Sequence, residues 1–538
     1  MREDPALLQR AVGRKGKMNV AKPFKLLPLA FALLLPNILD CTVVGFRTPV
    51  PHLDERFAHV SQTIRMGLEE RGVPSVSIAV ARAGEVVWEQ SFGWADRERE
   101  IRASPNTMYS LASTTKPLTA TAVMVLHRSG RLSLDSSVEE YTGPGFLQAH
   151  ATSPNEITVR RVLHHAAGLP QHFNYFYADE TAQPRSPEAA LRHFGAIVWA
   201  PGQEFSYSNL GYGLLGFLVE QISDRPLKVF MREEVFDPLG MNRTAFDPGP
   251  TADLAVKYNT EGGVIPFFRS DMPGSAHAYA SAHDLVRFGM FHLRDHLDTQ
   301  AQIIDDIAIQ EMQRAVEGIA YPGAVGTQYG LGWFVGSAGE NRRVVWHEGG
   351  WTGASAMLKL IPSEDIAVAV LMNVFDSQFV NQVTDEAIQA VLSNYSNPET
   401  LALEQIEAPA QPSFRIPAGR YSGDIYIGGR DSSLTLEKDR NGELRAYLGP
   451  LSPAIPVRTL PDFVPRLPGH FLGAFPGVIA DEDATRHPHD IMLELKETQD
   501  GLMGMVSAMG QPPAVTGDQR MNFFLSYRVS LKRLREAP

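Results

Sequence analysis

The chain has 538 residues, 44% hydrophobic and 20% charged, an ordinary globular composition that is too long for one small domain. A formal net charge of −12, with no Lys/Arg-rich run beyond the extreme N-terminus, excludes a basic footprint for nucleic acid. The single cysteine, Cys41, excludes an intramolecular disulfide and a cysteine-based zinc or iron–sulfur site; neither His-Glu-x-x-His nor an aspartate-rich calcium loop occurs, so no metal or cofactor is expected.

In chain order, Arg14, Lys15, Lys17, Lys22 and Lys25 precede the apolar run Leu26 to Leu35, which is short for a bilayer span, so 1–41 reads as an export signal to periplasm or medium. An uncleaved anchoring helix is the alternative. Met18 is an alternative start, because Glu3 and Asp4 are foreign to the basic end of a signal. Cys41 after Ile38-Leu39-Asp40 makes a lipid anchor second to simple export, since Asp40 stands where a small residue is expected. Membrane contact is expected only through this region.

Leu53, Phe57, Val60, Ile64 and Leu68 recur at helical spacing and predict an amphipathic helix ending near Gly72. Val76 to Val80 and Val86 to Trp88, joined across Arg82-Ala83-Gly84-Glu85, read as a hairpin of β-branched strands. A hairpin alone is marginal, and its sheet partners are expected at Ala356 to Leu360 and Ile366 to Leu371. Residues 118–310 carry mainly helical periodicity. The fold class predicted is α+β: an antiparallel sheet flanked by helices, with an inserted helical lobe, over 50–395.

After a helix at Glu386 to Leu392, the stretch 396–412 holds three prolines and reads as a linker. Ser432 to Lys438 and Glu443 to Leu448 flank Asn441-Gly442, a hairpin signal, and further strands are expected at Ile491 to Lys496, Leu502 to Val506 and Phe523 to Leu531. Residues 413–538 are thus predicted to be an independently folded all-β barrel or meander that shapes access or association and supplies no catalytic group.

Chemistry concentrates at Ser113 and Lys116, three apart at a predicted helix start, where hydroxyl and amine share one face. A lysine shielded from water is pushed toward the neutral amine, which can take a serine proton. Pro117 falls in the first turn, where a missing N–H costs little. Tyr207-Ser208-Asn209 precedes an apolar run; the phenol is expected to be held near a lysine that favours its ionised form, and the Asn209 amide can orient a substrate carbonyl. His347-Glu348-Gly349-Gly350 approaches a predicted strand, so that Gly349 lets a substrate backbone lie close and the N–H groups of Ser113 and Gly350 form an oxyanion hole. Tyr395-Ser396-Asn397 and His193-Phe194-Gly195 repeat two of these patterns, in the linker region and in a predicted helix over Pro187 to Val198, and are read as a turn and as packing.

The order Ser-x-x-Lys, Tyr-x-Asn, His-x-Gly resembles the serine beta-lactamase and penicillin-binding-protein superfamily, in its branch of class C beta-lactamases, D-aminopeptidases and family VIII carboxylesterases. Thr158 to Pro170 and Tyr329-Gly330-Leu331-Gly332-Trp333 extend the resemblance over about 53–395. It implies Ser113 as acylated nucleophile, Lys116 as its activating amine, Tyr207 as general base, and Asn209, His347 and Gly349 as substrate-binding residues. In the family the segment holding His164 and His165 is structural, so these carry no chemistry. Some D-aminopeptidase-like relatives carry a β-barrel after the catalytic domain, which fits the layout.

Two departures bear on substrate. His347 replaces the lysine typical of beta-lactamases, and Gly274-Ser275-Ala276-His277 lacks the expected paired glycines. With an ordinary pKa near 6.5, His347 offers a hydrogen bond at neutral pH and a charge only toward pH 6. The expected function is a serine hydrolase acting on small-molecule esters, amides or peptides. The alternatives are a beta-lactamase, a D-Ala-D-Ala carboxypeptidase or D-aminopeptidase, and, outside enzymes, a non-catalytic cell-wall peptide binder. A Ser-His-Asp α/β-hydrolase is excluded because no Gly-x-Ser-x-Gly occurs.

Overall fold

The computed structural model describes residues 55–534 apart from 151, 252, 295–296, 320, 322–325, 339–341, 397–414, 429, 450–451, 461–468 and 511–519. The expected export signal, Met18, Cys41 and all of the expected linker except Ser396 lie outside the described residues.

The central sheet has eight antiparallel strands, in the order Gln328–Tyr329, Phe334–Ser337, Arg343–Trp351, Ala354–Ile361, Ile366–Met372, Ser75–Arg82, Glu85–Asp96 and Ile101–Arg102. The early hairpin turns through Ala83 and Gly84, both at positive φ, which matches the twist of paired strands. Its first strand pairs with Ile366–Met372, Val76 opposite Met372 and Val80 opposite Val368. The helical lobe the sequence predicted is inserted between strands Ile101–Arg102 and Gln328–Tyr329 of this sheet. Burial on both faces follows from alternation. Val76, Ile78, Val80, Val368 and Val370 face the helices Ala58–Glu70 and Ser377–Val391. The small Ala79, Ala81, Ala367 and Ala369 face the other way, where little side-chain bulk lets helix Ala282–His292 pack close to the sheet.

The C-terminal sheet is organised differently. Strand Gly419–Ile427 lies between Arg430–Lys438 and Phe523–Arg533; Gly501–Gly510, His489–Thr498 and His470–Pro476 follow outward on one side, and Leu444–Leu448 on the other. The two outermost strands, Ile455–Pro456 and Arg458–Thr459, are separated in sequence by Val457 alone. The sheet edges therefore meet, giving a nearly closed barrel. The predicted hairpin at Asn441-Gly442 is closed by a longer turn, because Asp439 Oδ1 accepts the N–H groups of Asn441 and Glu443, each at 2.9 Å.

Strand Phe173–Tyr177, within the region read as helical, extends this barrel: Asn174 pairs with Phe523 and Phe173 with Phe524. Residues 53–538 form one compact unit. Among the described residues no helix is long and apolar enough to cross a membrane, and no cluster of metal-ligating side chains is found.

Candidate active site

Ser113 sits in a single 3-10 turn, Ala112–Thr114, that joins the short strand Tyr109–Ser110 to helix Thr115–Arg128. Ala112 has a φ of 45°, a left-handed conformation that turns the chain sharply into the helix. The turn is tied to its surroundings: Leu111 N–H donates to the Ala278 carbonyl at 2.9 Å, and Thr114 Oγ1 to the His347 carbonyl at 3.3 Å.

Lys116 is fully buried, and burial holds its pKa well below the ordinary 10.5, which favours the neutral amine at the bottom of the site. Three partners surround Nζ: Asn209 Oδ1 at 2.7 Å, the Ser275 carbonyl at 3.1 Å and Ser113 Oγ at 3.1 Å. A neutral amine has two N–H bonds and one lone pair. The two oxygens that only accept take the N–H bonds, which leaves the lone pair for the Ser113 hydroxyl proton. The geometry can therefore carry a proton from serine to lysine. Asn209 opens helix Asn209–Ser223, where Ser208 caps by accepting the Gly211 N–H at 2.8 Å. Its amide oxygen orients Lys116, where the sequence reading gave it a substrate contact.

Tyr207 lines the same cavity as Ser113, and its ring centroid lies 4.7 Å from Lys116 Nζ. Its protonation reverses the sequence expectation. Burial raises the phenol pKa above the ordinary 10, outweighing the lowering by nearby Ser113, and the neutral lysine supplies no cation to hold a phenolate. Tyr207 is thus an O–H donor at the cavity wall. His165 packs 4.4 Å from the Tyr207 ring centroid, and its Nδ1 accepts the Ser208 N–H at 3.0 Å. Burial holds His165 neutral, in keeping with a packing role.

The third motif lies on strand Arg343–Trp351, which alternates: His347 and Gly349 face inward, Glu348 and Gly350 outward. A Cβ at Gly349 would lie 2.0 Å from the Leu111 carbonyl oxygen and 2.9 Å from Thr114 Oγ1, so only glycine lets this strand lie against the nucleophile turn. His347 is buried, with Nδ1 2.6 Å from the Glu348 carbonyl and Nε2 3.1 Å from Tyr329 Oη. A carbonyl only accepts, so Nδ1 carries the proton and Nε2 accepts from Tyr329. Burial lowers the His347 pKa to about 3. Burial thus disfavours the imidazolium that the sequence expectation placed near pH 6.

These groups meet at a cavity of about 430 Å³. Ser113, Tyr207, His347, Gly349 and Gly350 line it, with Tyr321, Phe334, Phe375 and Val380 as apolar wall and Glu348 as the one charged side chain among the described residues. Lys116 and Asn209 stand behind Ser113. Two contributors escaped the sequence reading. The Ser275 carbonyl acts through backbone, which leaves no side-chain signature, and Tyr329 was singled out only as part of a strand. The two repeated patterns go elsewhere: His193 contacts Asp481 of the barrel at 2.5 Å, and Tyr395 is buried with its hydroxyl 3.1 Å from Asp385.

The sequence profile of the Beta-lactamase family matches residues 60–393, a span holding every one of these groups. The chain belongs to that family. Protein flp of Staphylococcus aureus (strain N315) is 25% identical over 356 residues, 63% of this chain and 69% of that protein. Penicillin-binding protein 4* of Bacillus subtilis (strain 168) is 25% identical over 423 residues, 73% of this chain and 89% of that protein. The octameric penicillin-binding protein homologue from Pyrococcus abyssi superposes with a TM-score of 0.54 at 23% identity, covering 87% of this chain and 99% of that one. The likeness therefore includes the barrel as well as the family domain, and places the fold in the serine beta-lactamase and penicillin-binding-protein superfamily.

Proposed function

We propose that this family member is a serine hydrolase that works through an acyl-enzyme on Ser113, on small esters, amides or peptides whose bound end is uncharged or carries an amine. The observation that carries the substrate class is the cavity wall: aromatic and aliphatic side chains, one carboxylate at Glu348, a neutral His347 and no lysine or arginine among the lining residues.

In this reading Ser113 Oγ attacks the substrate carbonyl carbon while its proton passes to Lys116 Nζ, and the N–H groups of Ser113 and Gly350 receive the oxyanion. As the bond to the leaving group breaks, Tyr207 O–H protonates the departing atom and is resupplied by the Lys116 ammonium. Water then adds to the acyl carbon, its proton passes into the same lysine–tyrosine pair, and the Ser113 ester bond breaks to regenerate the hydroxyl. Lysine and tyrosine begin and end neutral, as burial of both requires.

Among the described lining residues a beta-lactam carboxylate meets no lysine or arginine. Forgoing one charge-assisted hydrogen bond costs on the order of 1.5–3 kcal/mol, roughly ten- to a hundredfold in binding. The test is kcat/KM for p-nitrophenyl butyrate and nitrocefin from pH 6 to 9, in wild type and His347→Lys. The ester is expected to lead throughout, with no rise in nitrocefin turnover toward pH 6 and a gain of about tenfold for nitrocefin in His347→Lys. Nitrocefin leading in the wild type, with no gain in the variant, would overturn the assignment.

A further inference from the structure

Tyr207 ends a loop, 200–208, that is secured from two sides. Toward the family domain, Gly202 N–H donates to the Ala166 carbonyl and Ser206 N–H to the His165 carbonyl, both at 2.7 Å. Toward the barrel, the one charged residue of the loop, Glu204, has its Oε2 3.0 Å from Lys496 Nζ and 3.3 Å from His470 Nε2. His470 and Lys496 face each other directly across neighbouring strands, so they present two nitrogens to one carboxylate from a single face of the sheet. His470 is 1% exposed, its Nδ1 lies 2.9 Å from Glu494 Oε1, and its ring packs 4.7 Å from that of Trp199, just ahead of the loop. His470 is thus held by Glu494 and Trp199 as well as by Glu204.

We propose that Glu204 is a positioning residue for Tyr207, and that the C-terminal barrel supports turnover through His470 and Lys496 rather than by placing a group in the cavity; the inference rests on Tyr207 moving a proton as described above. Among the described residues, those that line the cavity all precede the barrel, so the influence inferred for the barrel travels through contacts of this kind. The path is short. Phe205 follows Glu204 and packs 5.1 Å from the ring of Tyr321, a cavity-wall residue, and 5.4 Å from that of His165, which itself lies against Tyr207. A shift of the carboxylate moves the whole run Glu204 to Tyr207, and displacing a proton donor by a fraction of its hydrogen-bond length weakens the transition state more than substrate binding.

The test is a double-mutant cycle in the full chain with p-nitrophenyl butyrate. Glu204→Gln keeps the side-chain shape and loses the charge-assisted contacts; its kcat is expected to fall about tenfold with KM within about twofold. In a Tyr207→Phe background the same change is expected to cost less than about twofold, because the group it positions is already gone. Lys496→Met, at a half-exposed side chain that folding tolerates, is expected to lower kcat in the same direction. Wild-type kcat in both Glu204→Gln and Lys496→Met overturns the inference, as does an undiminished loss from Glu204→Gln in the Tyr207→Phe background, the mark of a merely structural role. Wild-type turnover by Tyr207→Phe removes the reading of Tyr207 itself, an outcome distinct from the other two.

Discussion

A hydroxyl and an amine three residues apart are legible wherever a helix starts, and Ser113 and Lys116 are found where that spacing predicts, 3.1 Å from each other. What spacing does not reveal is charge. Lys116, Tyr207 and His347 take their protonation from burial, a property of the assembled fold, and burial keeps all three neutral. The consequence is a pH profile with one limb. The proposed mechanism uses the Lys116 lone pair, so kcat/KM for an ester is expected to fall as pH drops through the lowered lysine pKa. On the alkaline side Tyr207 must keep its proton, and a pKa raised above 10 keeps it through pH 10. A second inflection near pH 6, in the range of an ordinary histidine, would contradict the burial of His347. Ser113→Ala is expected to abolish covalent labelling by a fluorophosphonate, while Lys116→Ala and Tyr207→Phe each slow turnover by about two to four orders of magnitude with the far-ultraviolet spectrum unchanged.

At the level of elements, the strand Arg343–Trp351 shows which part of a motif carries geometric information. Gly349 is required because the strand runs against the Leu111 carbonyl, and that contact joins segments more than two hundred residues apart. His193-Phe194-Gly195 matches the same spacing and also needs its glycine, but for a local reason: a Cβ at Gly195 would lie 2.2 Å from the Leu191 carbonyl at the end of its own helix. Spacing alone cannot separate a glycine that admits a distant element from one that ends a helix. The sequence reading set His193-Phe194-Gly195 aside because it falls in a predicted helix, and Pro187–Phe194 is helical. The contact yields a sharp expectation for Gly349→Ala. A methyl group 2.0 Å from a carbonyl oxygen forces strand and nucleophile turn apart. Overpacking of this kind costs about 1–3 kcal/mol of stability. The catalytic loss is expected to be larger, about a hundredfold in kcat, because nucleophile and oxyanion donors sit on the two elements being separated. Urea midpoints together with kcat check this; a variant as active as wild type would mean that Gly349 and Ser113 are not held in register as described.

At the scale of the molecule, the strands of the C-terminal barrel were visible as alternating runs, but the seam between barrel and family domain was not. Asn174 pairs with Phe523 across some 350 residues of chain, and no local pattern encodes such a partner. The seam combines three kinds of contact. Backbone pairing joins Phe173–Tyr177 to the last strand, with Tyr175 N–H donating to the Asn522 carbonyl at 2.8 Å. Aromatic rings meet across it, Phe173 with Phe524 and Phe194 with Tyr527, each pair at 5.7 Å, and Trp199 packs in one buried cluster with Met505. Ion pairs form the rim, Arg185 with Asp483 and Arg520 with Asp179 at 2.7 Å and Arg486 with Glu180 at 3.1 Å. Salt screens exposed pairs but leaves a hydrogen-bonded ladder and buried rings in place. A chain cut once within 397–414 is therefore expected to elute as a single species in gel filtration even at about 1 M salt, and to keep fluorophosphonate labelling at Ser113. Separation requires denaturant. Two folded pieces that part in salt alone would show that the rim carries the association, and that the ladder and rings contribute little.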